Sequence, residues 1–249
     1  MCHESSGKAL VSTIGIGKGT VTLEDFNNAD TILVIGQNPG TNHPRMLTAL
    51  RDAKQNGCKI IHINPLPETG LVRFKHPQDY MKLNFNSTKL ADIHVPIKIG
   101  GDAALFQAIN SLIIDNGQLN YEFIESKTSA FTDYSKSLQG LNWERICNDT
   151  GLEQKLIEQL AIILANSKSI ISCWAMGLTQ HRNGVAAIQE VVNLHLLGGH
   201  IGRKGAGLCP VRGHSNVQGN RTVGIWEAPS DSFTEKMELG LKHAMPRKH

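Results

Sequence analysis

The 249-residue sequence predicts an α/β protein, a three-layer αβα arrangement around a Rossmann-like, mostly parallel sheet. Three observations predict it. Short runs rich in Ile and Val read as strands buried on both faces. Amphipathic stretches of helical spacing alternate with those runs. Polar, glycine-rich segments follow the strands, where open parallel sheets bind ligands.

The elements follow in order. Asp30 to Gly36 (DTILVIG) is a core-type strand closed by glycine. The polar loop Gln37 to Pro44 leads into a helix from Arg45 to Asn56. Asn42 or His43 serves as its cap, Pro44 occupies the first turn, and Gly57 closes it. Cys58 to Ile63 is the second strand, so residues 30–63 make a βαβ unit. Asp92–Val95 is a short strand and Asp102–Asn116 a helix. Residues 119–150 hold helical pieces in which Tyr121, Phe123, Phe131, Tyr134 and Trp143 read as packing anchors only. Leu152–Ala165 is a helix, Ser169–Trp174 a buried strand, and Val185–Leu197 a further helix ending at Gly198-Gly199. Beyond it the chain is rich in Gly, Arg and Asn as far as Trp226. Residues 1–229 are expected to form one α/β region and 230–249 a polar tail ending in Met-Pro-Arg-Lys-His.

Composition narrows the function. With 40% hydrophobic and 19% charged residues this is an ordinary globular chain, and a net charge of +3 gives no case for a nucleic-acid partner. No apolar run approaches the roughly 18 residues of a membrane span, and the first residues lack a secretory pattern, so a cytoplasmic location is expected. The five cysteines include no CxxC pair, which argues against zinc or an iron–sulfur cluster built from this chain alone. Cys58, Cys147, Cys173 and Cys209 read as reduced, buried cysteines acting as small apolar residues.

Four loops leave predicted strands in the same direction. Gln37–His43 enters a helix N-terminus, where free N–H groups and the helix dipole favour phosphate. Asn64 and Glu68 follow the second strand, where a polar side chain can meet a ribose or a base edge, although Asn64 reads equally as a turn residue before Pro65. Gly177–Gln180 follows a later strand, and Val211–Gly219 offers a guanidinium, amides and two glycines. Together they point to a nucleotide site. Gly15–Gly19 fits neither the dinucleotide fingerprint nor the Walker pattern and reads as a flexible loop in a supporting role.

On Met1–Ser6, Gly36–Met46, Asn64-Pro65, Gly177–Gln180, Gly198–Gly202 and Gly207–Gly219, taken in that order, the chain resembles the formate-dehydrogenase-like branch of the molybdopterin oxidoreductases. That family binds two molybdopterin guanine dinucleotides around one molybdenum or tungsten. The resemblance places Cys2 as the thiolate on the metal, His3 as a neighbouring proton acceptor and Arg212 as a guanidinium facing the metal, able to hold a small anion. It places Gln37, Asn38, Thr41, Asn42, His43 and Asn64 at the guanine dinucleotide, and Thr179, Gln180, Asn216 and Gln218 in loops that contact phosphate or pterin. Arg212 and His214 belong to the same cofactor contacts, and His214 stands where close formate dehydrogenases carry an amide. The resemblance also implies an upstream domain with an iron–sulfur cluster and a downstream domain closing over the second pterin, both outside this sequence. It implies two-electron redox of a small substrate, with an electron-transfer partner that the residues do not identify. The alternative is a chain that keeps the nucleotide fold without catalysis; a plain dinucleotide-binding fold is the weakest reading, lacking GxGxxG after the first strand.

Overall fold

The structure, a computed structural model, describes residues 2–78, 87–225 and 229–245. Met1, Trp226 and residues 246–249, which entered the sequence reading, lie outside the described residues. The chain separates into two compact units, Met1–Gly213 and His214–His249.

The first unit carries five parallel strands: β1 (Thr31–Ile35), β2 (Lys59–Ile63), β3 (Ile93–Val95), β4 (Ile170–Trp174) and β5 (Gly207–Pro210). Their order is β3-β2-β1-β4-β5. From central β1 the chain steps outward through β2 to β3, then returns to place β4 on the other side of β1. The loops leaving β1 and β4 therefore diverge, which makes the switch point where parallel sheets bind ligands.

Helices cover both faces. They are α1 (Glu4–Ile14), α2 (Pro39–Asn42), α3 (Pro44–Gln55), α4 (Thr69–Val72), α5 (Asp102–Asp115), α6 (Tyr121–Lys127), α7 (Phe131–Ser137), α8 (Trp143–Thr150), α9 (Gln154–Ala165), α10 (Met176–Thr179) and α11 (Gly184–Leu197). Strand alternation sorts the core: Leu33 and Ile35 of β1 join α1, α5, α9 and α11, whereas Ile32 and Val34 join α3 and α4. Both faces being covered, β1 is buried throughout, as its run of apolar residues requires. Burial pushes the Cys58 thiol up to about 12 and raises Cys173 as well, so these two are buried apolar residues as expected, whereas Cys147 and Cys209 are only half-buried.

Several features depart from the sequence reading. Helix α1 has no counterpart there, because glycine and serines dilute its pattern; yet Ala9 and Leu10 are fully buried in the core shared with α11. Strand β5 lies between a glycine and a proline and reads as loop. It is nevertheless an edge strand, closed by Thr20, whose N–H donates to Leu208 O and whose Oγ1 accepts from Leu208 N, both at 2.9 Å. Tyr134 is more than a packing anchor: its hydroxyl donates to the Glu190 carboxylate at 2.5 Å, and Asn110 and Gln107 donate to the same cluster. In the second unit are α12 (Val217–Thr222) and α13 (Asp231–Leu241). The stretch read as a polar tail thus contains a helix, with Ser230 Oγ accepting from Phe233 N at its start.

Register pairs Ile35 with Trp174, so the loops leaving β1 and β4 start side by side. They touch backbone to backbone: Gly177 N–H donates to Gly36 O at 3.0 Å. A Cβ on Gly177 would lie 2.6 Å from Gly36 O, and one on Gly36, whose φ is +54°, 2.7 Å from the Gly177 carbonyl carbon. Only glycine fits at either place. Gly177→Ala is expected to lower unfolding free energy by about 1–3 kcal/mol, the range for forced overpacking, as read by urea denaturation.

Candidate cofactor site

Two adjoining lobes of a cleft open at the switch point, of about 330 and 410 Å³. Both include Gly36, Asn64, Met176 and Gly177, so the glycine contact forms their shared floor. The first lobe adds Gln37, Asn38, Asn42, His43, Glu68, Val211 and Gly213. The second adds Pro65, Leu66, Lys98, Ile99, Asp102, Gln180 and His181. Residues from four predicted loops thereby meet, although they are far apart in sequence.

The amides on the first lobe are turned inward. Asn38 Oδ1 accepts from Thr41 N at 3.1 Å and caps α2, while its Nδ2 donates to Glu68 Oε2 at 2.6 Å. Asn64 Nδ2 donates to Glu68 Oε1 at 3.1 Å and to Leu66 O. Glu68, read from sequence with Asn64 as a polar side chain able to meet a ribose or a base edge, instead has both carboxylate oxygens engaged by Asn38 and Asn64 and clamps the β1 and β2 loops together. Its signal was its spacing of four from Asn64. Thr41 is exposed and lines neither lobe.

Two histidines hold consecutive carbonyls. His43 Nε2 donates to Arg212 O at 3.0 Å, and His3 Nε2 donates to Val211 O at 2.9 Å. A carbonyl only accepts, so both rings carry the proton on Nε2. The His3 Nδ1 then accepts from Ser6 Oγ at 2.9 Å, and Ser6 Oγ accepts from Trp174 Nε1 at 2.9 Å. Burial first, then the Arg212 charge, holds His3 neutral down to about 4, against the pull of the Val211 carbonyl. The proton acceptor expected at His3 is thus a ring whose two nitrogens are both engaged. Arg212 Nη2 donates to Gly17 O at 3.1 Å, which joins Arg212 to the Gly15–Gly19 loop.

Cys2 is free and half-buried, and its carbonyl accepts from Thr179 Oγ1 at 2.5 Å. Neither Cys2 nor His3 lines the two lobes. Among the described residues no cluster of three or more His, Cys, Asp or Glu could hold a metal ion. His214, Asn216 and Gln218 belong to the second unit, where Asn216, at φ +53°, precedes α12.

Asp102 stands apart from these satisfied groups. It opens α5 at the second lobe, is only 6% exposed, and forms no salt bridge among the described residues. Burial raises its carboxyl to about 6, against its own backbone N–H and the weaker influence of His181. In the sequence Asp102 is legible only as the start of a helix.

A five-stranded parallel sheet with helices on both faces and a divided polar cleft at its switch point defines an open, doubly wound α/β protein. The comparisons narrow that class. The molybdopterin oxidoreductase family model matches residues 4–241, and the chain belongs to that family. It is 46% identical over 255 aligned residues to an uncharacterized oxidoreductase of Mycobacterium tuberculosis (strain ATCC 25618 / H37Rv), covering 100% of this chain and 33% of that protein. It is 31% identical over 222 residues to formate dehydrogenase H of Escherichia coli (strain K12), covering 89% of this chain and 29% of that enzyme. The solved structure of acetylene hydratase from Pelobacter acetylenicus superposes with a TM-score of 0.66 at 22% identity, over 82% of this chain and 25% of that one, which shows the shared fold. The chain spans about a third of the length of the curated relatives it matches. Among the described residues no helix is long and apolar enough to cross a membrane.

Because Asp102 titrates higher when folded than its ordinary 3.8, the folded state holds its proton more tightly. Its contribution to stability is therefore full below about 4 and lost as pH rises towards 6. Asp102→Asn should leave stability near that of wild type at pH 4 and raise it at pH 7 by up to about 3 kcal/mol, read as the difference between paired denaturation curves.

Proposed function

We propose that this chain forms the binding half-site for a molybdopterin guanine dinucleotide in a formate-dehydrogenase-like oxidoreductase acting on a small molecule. The observation that carries the reading is Asp102, a buried carboxylate at the cleft with no salt bridge among the described residues. A guanine edge presents an N–H and an NH2 side by side, which match two carboxylate oxygens. The apolar rim of Leu66, Ile99 and Met176, all exposed, suits the faces of a flat base.

The remaining roles follow the chemistry of each group. Asn42, His43, Gln37 and the backbone around Asn38 and Thr41 line or brace the first lobe, for the phosphates and pterin; Asn64 and Gln180 face the second. Cys2 supplies a soft thiolate suited to molybdenum or tungsten. Arg212 holds a small anionic substrate group beside it. His214, Asn216 and Gln218 are assigned to the cofactor by resemblance alone. Once bound, the cofactor supplies two-electron redox chemistry at its metal. The protein orients it and keeps the Val211–Arg212 backbone in place through His43 and His3. Electrons leave to a partner, and any iron–sulfur cluster is supplied outside these residues.

A second reading, a cofactor-binding module without catalysis, is favoured by one observation: both nitrogens of His3 are already engaged. Protein produced in cells supplied with molybdate or tungstate should carry the metal together with guanine nucleotide released by acid hydrolysis; absence of both metals sinks the cofactor assignment. Reduction of a viologen or quinone dye by the loaded protein separates the enzyme from the silent module. Asp102→Ala should weaken GDP binding by about tenfold or more in calorimetry. Wild-type affinity should fall below pH 6, where Asp102 takes up its proton.

A further inference from the structure

Resting on the cofactor reading above, we propose that Thr179 is the positioning residue for the Cys2 thiolate and not itself a contact of the cofactor. Every polar group of Thr179 is already used within the chain. Its N–H donates to Ala175 O at 3.3 Å, its Oγ1 donates to Cys2 O at 2.5 Å, and its carbonyl accepts from Ser5 Oγ at 2.8 Å. Its residue surface is 4% exposed, so no donor is left for a phosphate or pterin.

The carbonyl it holds is one that the helix leaves behind. His3 is the N-cap of α1, and the His3 carbonyl accepts from Gly7 N at 3.0 Å, which starts the helical ladder. The Cys2 carbonyl precedes that ladder and receives no helical donor. Thr179 provides one from across the fold. The next residue is held by its side chain, since the His3 ring bridges Ser6 and Val211. Cys2 is thereby constrained at its own carbonyl and at the residue that follows.

Thr179 is itself anchored. It lies two residues after Gly177, whose backbone is locked against Gly36 at the floor of both lobes. Three short links, Cys2 to Thr179 to Gly177 to Gly36, therefore join the thiol-bearing residue to the surface on which the cofactor rests. Metal–ligand distances tolerate about 0.2 Å, so a thiolate at the start of a helix needs such a reference point. A hydroxyl that merely closed the short helix α10 would affect stability and leave Cys2 unchanged.

Thr179→Val removes the hydroxyl and keeps the shape; Thr179→Ser keeps the hydroxyl. In metal-free protein, alkylation of Cys2 by iodoacetamide is followed by peptide mass spectrometry and normalised to Cys147. Thr179→Val should speed Cys2 alkylation about three- to tenfold, the effect of one lost hydrogen bond on local opening, with Thr179→Ser close to wild type. In metal-loaded protein, X-ray absorption should show the Cys2 sulfur lost or lengthened at the metal in Thr179→Val and restored in Thr179→Ser. An unchanged Cys2 rate, or an unchanged sulfur shell in Thr179→Val, overturns the proposal. Should Thr179→Val not fold, Ser5→Ala removes the second tie and should also speed Cys2 alkylation; no change there overturns it equally. Wild-type protein that takes up no metal refutes the cofactor reading instead, and the alkylation arm still decides whether Thr179 holds Cys2.

Discussion

The contact between Gly36 and Gly177 is the constraint on which the site depends. Parallel pairing of β1 with β4 forces their exit loops to begin beside each other, and the reversal of strand order then sends them apart. Two backbones can pass at that point only without side chains. The two lobes of the cleft hang from this contact on either side. A parallel sheet thus supplies the cleft by topology, and two glycines keep it open.

Around that floor the polar groups divide into those the protein satisfies and those it does not. Asn38 and Asn64 spend their amide N–H groups on Glu68, and His3 and His43 spend their ring N–H groups on Val211 and Arg212 carbonyls. The Asn38–Glu68 and His43–Arg212 bonds tie loops from different strands, Asn64 closes its own loop and His3 ties the start of α1 to Val211, so these side chains brace the site before any ligand arrives. Asp102 is the opposite case, a buried acid whose raised titration records a cost to folding. A group held at such a cost at the edge of a cleft is a natural place for a ligand to supply what is missing.

The same division changes how individual residues are understood. His3, expected from resemblance to accept a proton, is bonded through both nitrogens, to Ser6 and to the Val211 carbonyl. Thr179, expected to grip the cofactor, uses its hydroxyl on the Cys2 backbone. Residue type and spacing indicate which groups are present in a loop. Which neighbour takes each donor is settled by chain crossings between residues as distant as Cys2 and Thr179.

Strands β1, β2 and β4 and helices α3, α5, α9 and α11 were legible because their patterns are local: apolar runs of strand length, helical spacing, Pro44 at a start and Gly57 after an end. The loops of the site were legible for the same reason, as polar segments following those strands. Helix α1 and strand β5 were not, since a glycine-diluted helix and a four-residue edge strand owe their form to packing on α11 and to pairing with β4 and Thr20. The sequence by itself determined the fold class, the family resemblance and which loops carry polar groups, all properties of neighbouring residues along the chain. Only the tertiary structure decided that Gly36 meets Gly177, that Glu68 joins two loops and that Asp102 is buried at the cleft. Those outcomes depend on which distant segments the sheet order brings together, and no local pattern encodes that order.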